Sequence, residues 1–267
     1  MGVTAPVIEF DNIIKRFDGS PSGGTEVVAL DRISLHVPAR EFLIVVGPSG
    51  SGKTTLLRLV NRLSEPSEGH LRFEGEDIRT LDPILLRRRI GYVFQGVGLF
   101  PHMTVSENIA ITPRLLGWPK ERREARVDTL LELVRLSPAD YRHRLPRELS
   151  GGERQRIGVA RAIAAEPHVV LMDEPFGALD PLTRDAVGQD YRRLHDQLGL
   201  TTVMITHDML EAVLLADRIA VMHQGRIIER GTPHELMTAA KTDYVRQLMQ
   251  MPRTQAARLR DLMEGAP

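Results

Sequence analysis

Residues 47–54 read Gly-Pro-Ser-Gly-Ser-Gly-Lys-Thr, set between the apolar run FLIVV at 42–46 and a helical pattern, TTLLRLVNRL, that opens near Lys53. The glycines let the backbone turn tightly enough for successive N–H groups to point inward around an anion, and the following helix aims the positive end of its dipole at the same place. The octet fits G-x-x-x-x-G-K-[ST], in which Lys53 supplies a compact charge for β and γ phosphates and Thr54 supplies a hydroxyl ligand for Mg2+. Gly47, Pro48, Ser49, Gly50, Ser51, Gly52, Lys53, Thr54 and Thr55 are therefore expected to cradle a nucleotide. A chance Gly/Ser turn is the alternative, but strand, glycine loop and helix together make one half of a parallel β-α-β unit, the context the motif requires.

The 267 residues around this loop carry 35 basic and 35 acidic side chains, so the formal net charge is zero. A protein held by the long-range attraction of nucleic acid or anionic lipid would carry a basic excess, and none exists here. With 42% hydrophobic and 26% charged residues, the composition is that of one large or two modest globular domains. Only four basic residues are lysines, against 31 arginines, so the lysine at 53 stands where a compact ammonium suits phosphate better than a planar guanidinium. Cysteine is absent, which excludes disulfides, thiolate metal sites and a cysteine nucleophile. No apolar stretch approaches the ~18 residues of a spanning helix, and MGVTAPVIEFDN lacks the basic start and apolar core of a signal peptide. The polypeptide itself is expected not to cross a membrane.

From 7 to 46 the text is strand-like (VIEF, VVAL, ISLHV, FLIVV), with SPSGGT at 20–25 reading as a hairpin loop. Residues 96–165 read mostly as helix, with Val127, Leu130, Leu131 and Val134 forming one apolar stripe. Strands return as VVLM (169–172), TTVMIT (201–206) and RIAVM (218–222), the last two separated by the helix-like DMLEAVLLA, and a turn at Gln224-Gly225 leads into RIIE. The pattern predicts an α/β core with a helical insertion.

VVLMDEP at 169–175 places Asp173 and Glu174 at the carboxyl end of a buried strand, where open α/β sheets put their ligands. Asp173 suits support of Mg2+, and Glu174 suits a general base or water-positioner. Upstream, Leu149–Arg156 reads LSGGERQR. Ser150, Gly151 and Gly152 there present a hydroxyl and free backbone N–H groups at a helix start, a second anion site.

LSGGERQR resembles the signature sequence of ATP-binding cassette proteins, and the resemblance runs from about residue 7 to 240 with motifs in the family's order. It implies a P-loop NTPase (RecA-like) α/β core with an N-terminal antiparallel β subdomain and an inserted α-helical subdomain at about 96–165. The nucleotide-binding domain would span 1–240, and 241–267 would form a short helical tail without CBS regulatory modules. The resemblance implies further roles: Phe17 stacking on adenine, Gln95 reaching Mg2+ and the lytic water, Asp180 crossing a dimer interface, and His207 contacting the γ phosphate. It implies two such subunits clasping ATP between residues 47–54 of one and Ser150 and Gly152 of the other, with hydrolysis reopening the pair.

Residues 87–118, RRRIGYVFQGVGLFPHMTVSENIAITPRLLGW, are similar to the ATPase subunits of bacterial importers for quaternary amines such as glycine betaine, choline and carnitine. That similarity implies two transmembrane permease subunits, an indirectly coupled solute-binding protein, a second ATPase subunit in a homodimer, and a peripheral place on the cytoplasmic face of the cell membrane. Relatives that move sulfonates, nitrate or amino acids are an alternative. A soluble cassette ATPase of DNA repair or translation would have tandem cassettes or a long coiled coil, and a non-hydrolysing regulator would lack Glu174 or His207. Glu153 replaces the more usual glutamine and reads as neutral. Tyr244, Leu248 and Met251 have helical spacing and could dock on the core or another subunit. The arginine-rich runs at 87–89, 122–126 and 142–147 are interleaved with acids and read as helix faces or permease contacts rather than a nucleic-acid surface.

Overall fold

A computed structural model describes residues 6–18, 26–251 and 254. Two long strands, β1 (Pro6–Phe17) and β2 (Val27–Pro38), pair antiparallel through several irregular registers, so VVAL and ISLHV belong to one bulged strand. The insert read as a hairpin loop at 20–25 lies outside the described residues. Next come β3 (Phe42–Val46), α1 (Lys53–Val60), β4 (Glu68–Phe73), β5 (Glu76–Asp77), α2 (Pro83–Arg89) and β6 (Ile90–Val93). The helical section holds α3 (Val105–Leu115), α4 (Lys120–Leu133), α5 (Pro138–Tyr141) and α6 (Gly151–Ile163). The chain closes with β7 (Val169–Asp173), α7 (Pro181–Leu198), β8 (Thr201–Thr206), α8 (Met209–Leu215), β9 (Arg218–His223), β10 (Arg226–Gly231), α9 (Pro233–Ala239) and a last helix, α10, over 243–251.

The strands form two sheets. One has the order β2-β1-β4-β5, and the other has the order β10-β9-β3-β8-β7-β6. In the second, every pairing is parallel except the β9–β10 hairpin. Strand β3 sits between β8 and β9 and is fully buried. Phe42, Ile44 and Val46 join a core shared with α3, α4, α6 and α7, while Leu43 and Val45 join a core shared with α1 and the antiparallel sheet. Side chains alternate across a strand, so burial on both faces requires the unbroken apolar run seen in FLIVV. The central strand thereby fixes the loop at 47–54 against two hydrophobic cores.

The predicted stripe Val127, Leu130, Leu131 and Val134 is buried as expected. In the tail Val245 and Met249 are buried, and of the three predicted residues Tyr244 and Leu248 pack half-buried against the same core. The Tyr244 ring lies 4.7 Å from that of His223, and Met251 is exposed. The Glu229 carboxylate accepts from Lys241 N (2.9 Å) and Thr242 N (3.4 Å), tying the start of α10 to β10. The rest of the tail lies outside the described residues. The arginine-rich runs cap carbonyls and pair with acids. Arg87 donates to Asn61 O, Arg126 donates to the Ile163 and Ala164 carbonyls at the end of α6, and Arg142 pairs with Asp128.

Candidate nucleotide site

Five parallel strands end at one edge of the larger sheet, and the loops after four of them, β3, β6, β7 and β8, carry predicted residues. After β3 the chain turns through Gly47 and Pro48 into α1. Gly52 caps that helix at φ 101°, and a Cβ there would lie 2.4 Å from the Ala29 carbonyl oxygen, so only glycine allows this close approach. Lys53 is 6% exposed, and its Nζ donates to Gly47 O (2.8 Å) and Pro48 O (2.9 Å), folding the ammonium back over its own loop. Burial pulls its pKa down, opposed by the nearby charges of Glu174 and Asp173. The Ser51 hydroxyl is buried without a partner, a polar atom aimed into a loop built to receive an anion.

From β7, Asp173 reaches the first turn of α1, where the Thr54 hydroxyl donates to Asp173 Oδ1 at 3.5 Å. Burial raises the Asp173 pKa, and the neighbouring Glu174 charge adds to the rise. A cation at this point would relieve both effects. One hydroxyl and one carboxylate, with phosphate oxygens and waters completing the shell, is the donor set Mg2+ takes. Among the described residues there is no cluster of three His, Cys, Asp or Glu that would form an all-protein metal cage. The residues present therefore fit Mg2+ brought by a nucleotide.

Glu174 follows at φ 43°, in the left-handed region, its N donating to Ile205 O at 3.0 Å. Its Oε2 lies 3.2 Å from Nδ1 of His207, which follows β8 and is largely exposed. A cavity of about 430 Å3 opens beside Gly47, Pro48 and His207, walled on its far side by Tyr244, Leu248 and Met251.

Among the described residues, no side-chain hydrogen bond joins the remaining predicted residues to this cluster. Ser150 caps α6 reciprocally with Glu153: Ser150 N donates to Glu153 Oε2 (2.6 Å) and Glu153 N to Ser150 Oγ (3.3 Å). Tyr141 OH also donates to Glu153 Oε1, so the residue read as a neutral replacement holds the signature turn in place. A Cβ at Gly151 would lie 3.4 Å from Leu179, and one at Gly152 only 2.6 Å from Thr183, so this turn abuts the start of α7. There Asp180 accepts from Thr183 N at 3.0 Å, which keeps its carboxyl below the usual range. Among the described residues no hydrogen bond joins Ser150, Gly151, Gly152 or Asp180 to the loop at 47–55. Gln95 is exposed in the turn after β6, and Phe17 is exposed at the end of β1 with Lys15 Nζ 4.8 Å from its ring centre.

Several residues near these sites escaped the sequence reading. The buried Arg161 of α6 donates to Val97 O (2.7 Å) and Gly98 O (2.6 Å), pinning the turn that carries Gln95 to the helix that Ser150 begins. Buried Asn108 accepts from Phe100 N and donates to the Phe100, Met103 and Thr104 carbonyls. Asp208, next to His207, caps α8 and pairs with Arg184. Only the Asp208 cap had a sequence signal, an aspartate directly before an apolar helical pattern.

Residues 30–177 match the family model described as ABC transporter. The chain is 50% identical over 221 residues to the glycine betaine/carnitine/choline transport ATP-binding protein OpuCA of Bacillus subtilis, an alignment covering 83% of this chain and 58% of the relative. It is 45% identical over 241 residues to the glycine betaine uptake system ATP-binding protein YehX of Escherichia coli, covering 90% of this chain and 76% of the relative. It spans about three fifths of the length of the first curated relatives it matches. The dimeric post-hydrolysis structure of the ATP-binding cassette MJ0796 bound to ADP and Pi superposes with a TM-score of 0.75 at 30% identity, covering 85% of this chain and 98% of that one. The phosphate loop on β3, the acidic end of β7 and the capped signature turn thus occur in the order and fold of a P-loop NTPase, and this chain belongs to the ABC transporter family.

Proposed function

We propose that this chain is the ATP-hydrolysing subunit of a bacterial importer for a small solute, a quaternary amine such as glycine betaine, choline or carnitine. The observation that carries the reading is the convergence of Lys53, Thr54, Asp173, Glu174 and His207 at one edge of the parallel sheet. Residues 1–240 act as the nucleotide-binding domain, with 96–165 as its helical part. The cargo class rests on the 44–50% identity to osmoprotectant and quaternary-amine transport ATPases.

ATP is the substrate. Its phosphates settle on the backbone N–H groups of 47–54, and Lys53 Nζ exchanges the Gly47 and Pro48 carbonyls for phosphate oxygens. Thr54, Asp173 and Gln95 would hold Mg2+, which when bound would supply neutralisation of phosphate charge. Phe17 stacks on adenine. Glu174 accepts a proton from the attacking water as the new P–O bond forms and the bond to the bridging oxygen breaks, releasing ADP and phosphate. His207, held through Nδ1, offers its other ring nitrogen to the γ phosphate. Among the described residues Ser150 and Gly152 make no hydrogen bond to the phosphate loop of their own chain, which supports a second copy closing over the nucleotide and placing its Asp180 across the interface. Two transmembrane permease subunits dock on the helical part, with a solute-binding protein acting through them, at the cytoplasmic face of the membrane.

The test is ATP-dependent uptake in proteoliposomes in which this chain is reconstituted with a quaternary-amine permease. Uptake of labelled glycine betaine, choline or carnitine that needs this chain and ATP supports the reading. Uptake of sulfate or an amino acid instead would reassign the cargo, and absence of ATP turnover would remove the catalytic reading itself.

A further inference from the structure

Glu174 and His207 stand on adjacent loops. The first, 174–180, joins β7 to α7, and the second, 207–208, joins β8 to α8. Strands β7 and β8 pair in parallel register, Asp173 opposite Ile205, so the loops leave the sheet side by side. Among the described residues, the backbone hydrogen bond that ties the first loop to the end of β8 is Glu174 N to Ile205 O, at its root. Each loop carries a residue whose placement sets the reaction, and small displacements of such residues reduce rates steeply.

Arg184, on the first turn of α7, spans them. Its Nη1 donates to Asp208 Oδ2 at 2.9 Å, while Nη2 donates to the carbonyl oxygens of Leu179 (3.1 Å) and Gly177 (3.3 Å). The other Asp208 oxygen accepts from Leu210 N (2.9 Å) and Glu211 N (3.2 Å), and Asp208 N donates to Thr206 Oγ1 (3.0 Å). Asp208 is thus clamped to the end of β8 and the start of α8 while it holds Arg184. Both side chains are about three-quarters buried, which lifts the pair above the weak exposed ion pairs of protein surfaces. Glu211 and Asp185 line the same cavity of about 110 Å3 as Arg184 and Asp208. Burial pushes the Glu211 carboxyl up to about 7.

Together with the Glu174–His207 contact, this arrangement makes a closed ring: Glu174, His207, Asp208, Arg184, Gly177 and back through the Gly177 N to Glu174 O hydrogen bond at 3.3 Å. We infer that Arg184 is a positioning residue for ATP hydrolysis, setting the loop that bears Glu174 and Asp180 in register with the loop that bears His207. Arg184 touches neither Glu174 nor His207 and acts through Asp208 and the Gly177 and Leu179 carbonyls. The inference rests on the ATPase reading above.

The experiment compares steady-state ATP hydrolysis by the full chain and by Arg184→Ala, Arg184→Lys, Asp208→Asn and the Arg184→Ala/Asp208→Asn double variant. Asparagine retains the helix cap and removes the charge. Arg184→Ala is expected to lower kcat about 10- to 100-fold, with KM for ATP within about twofold. Asp208→Asn is expected to show a similar split, the double variant to be no slower than the slower single, and Arg184→Lys to recover part of the rate. A role confined to stability would leave kcat of the folded variants unchanged while lowering the unfolding midpoint, and that result overturns the inference. Losses that multiply in the double variant overturn it too. Absence of turnover in the unsubstituted chain would instead bring down the ATPase reading, and this inference with it.

Discussion

Nδ1 of His207 lies 3.2 Å from Oε2 of Glu174, and Glu174 reaches it from a backbone at φ 43°. A glutamate in the left-handed region is strained by about 1–2 kcal/mol, retained where surrounding structure over-determines it. Here the Glu174 N–H bond to Ile205 O does so, turning the side chain toward the end of β8. An ionised Glu174 accepts from Nδ1–H, which fixes both the ring and the carboxylate that would take the proton of water.

Replacing that carboxylate by an amide keeps its shape and removes its basicity. Glu174→Gln is expected to retain ATP binding and to lose turnover by about 10²- to 10⁴-fold, the range of a general base. Phosphate release measures the loss, and gel filtration with ATP should show an accumulated dimer. Normal turnover in this variant refutes the assignment of the base.

Lys53 reports on the phosphate cradle in a different way. Its ammonium already satisfies two loop carbonyls, Gly47 O and Pro48 O, and must exchange them for phosphate oxygens on binding. A charge-assisted contact of this kind contributes about 1.5–3 kcal/mol, so Lys53→Ala should weaken ATP affinity by about 10- to 150-fold. Titration calorimetry reads this directly, and unchanged binding removes Lys53 from the site.

Much of this site could be read from local sequence because its chemistry is local. FLIVVGPSGSGKT and VVLMDEP each carry their strand, loop and ligand groups in one short stretch, and the FLIVV run announces a strand buried on both faces. What sequence missed depends on long-range geometry. β4 enters the antiparallel sheet through pairing with β1 and β5 through pairing with β4, and neither was read as strand. Arg161 holds carbonyls 63 and 64 residues away, and Arg184 holds Asp208 across 24. In a chain with 31 arginines, composition cannot single out the two that brace functional loops. The tail pattern did not mark the more deeply buried Val245 and Met249, because three residues at helical spacing define a face without saying which of its neighbours goes deepest into the core.

Asn108 tests how the segment after Gln95 is held. Fully buried, it accepts from Phe100 N at 2.8 Å and donates to three carbonyls at 3.0–3.2 Å. Alanine there would orphan the Phe100 N–H and the carbonyls and leave a small cavity. Asn108→Ala is expected to lower stability by about 2–4 kcal/mol, seen as a lower urea midpoint with an unchanged slope. An unaltered midpoint would mean that the 100–104 segment is held by other contacts.

Glu211 links this region to pH. It is 8% exposed, its Oε1 has no hydrogen-bond partner, and burial raises its pKa from 4.5 to about 7, with the Asp208 charge adding to the rise. Between pH 4.5 and 7 the folded chain holds a proton that the unfolded chain has released. The contribution to stability is therefore fully present below about pH 4.5 and is lost as pH rises through 7, amounting to about 3 kcal/mol between those limits. Glutamine keeps the shape of the protonated acid and does not titrate. Glu211→Gln should match the unsubstituted chain at pH 5 and exceed it at pH 8 by up to about 3 kcal/mol in urea unfolding. An equal difference at both pH values would show that Glu211 is ionised in the folded chain across this range and that burial does not control its proton.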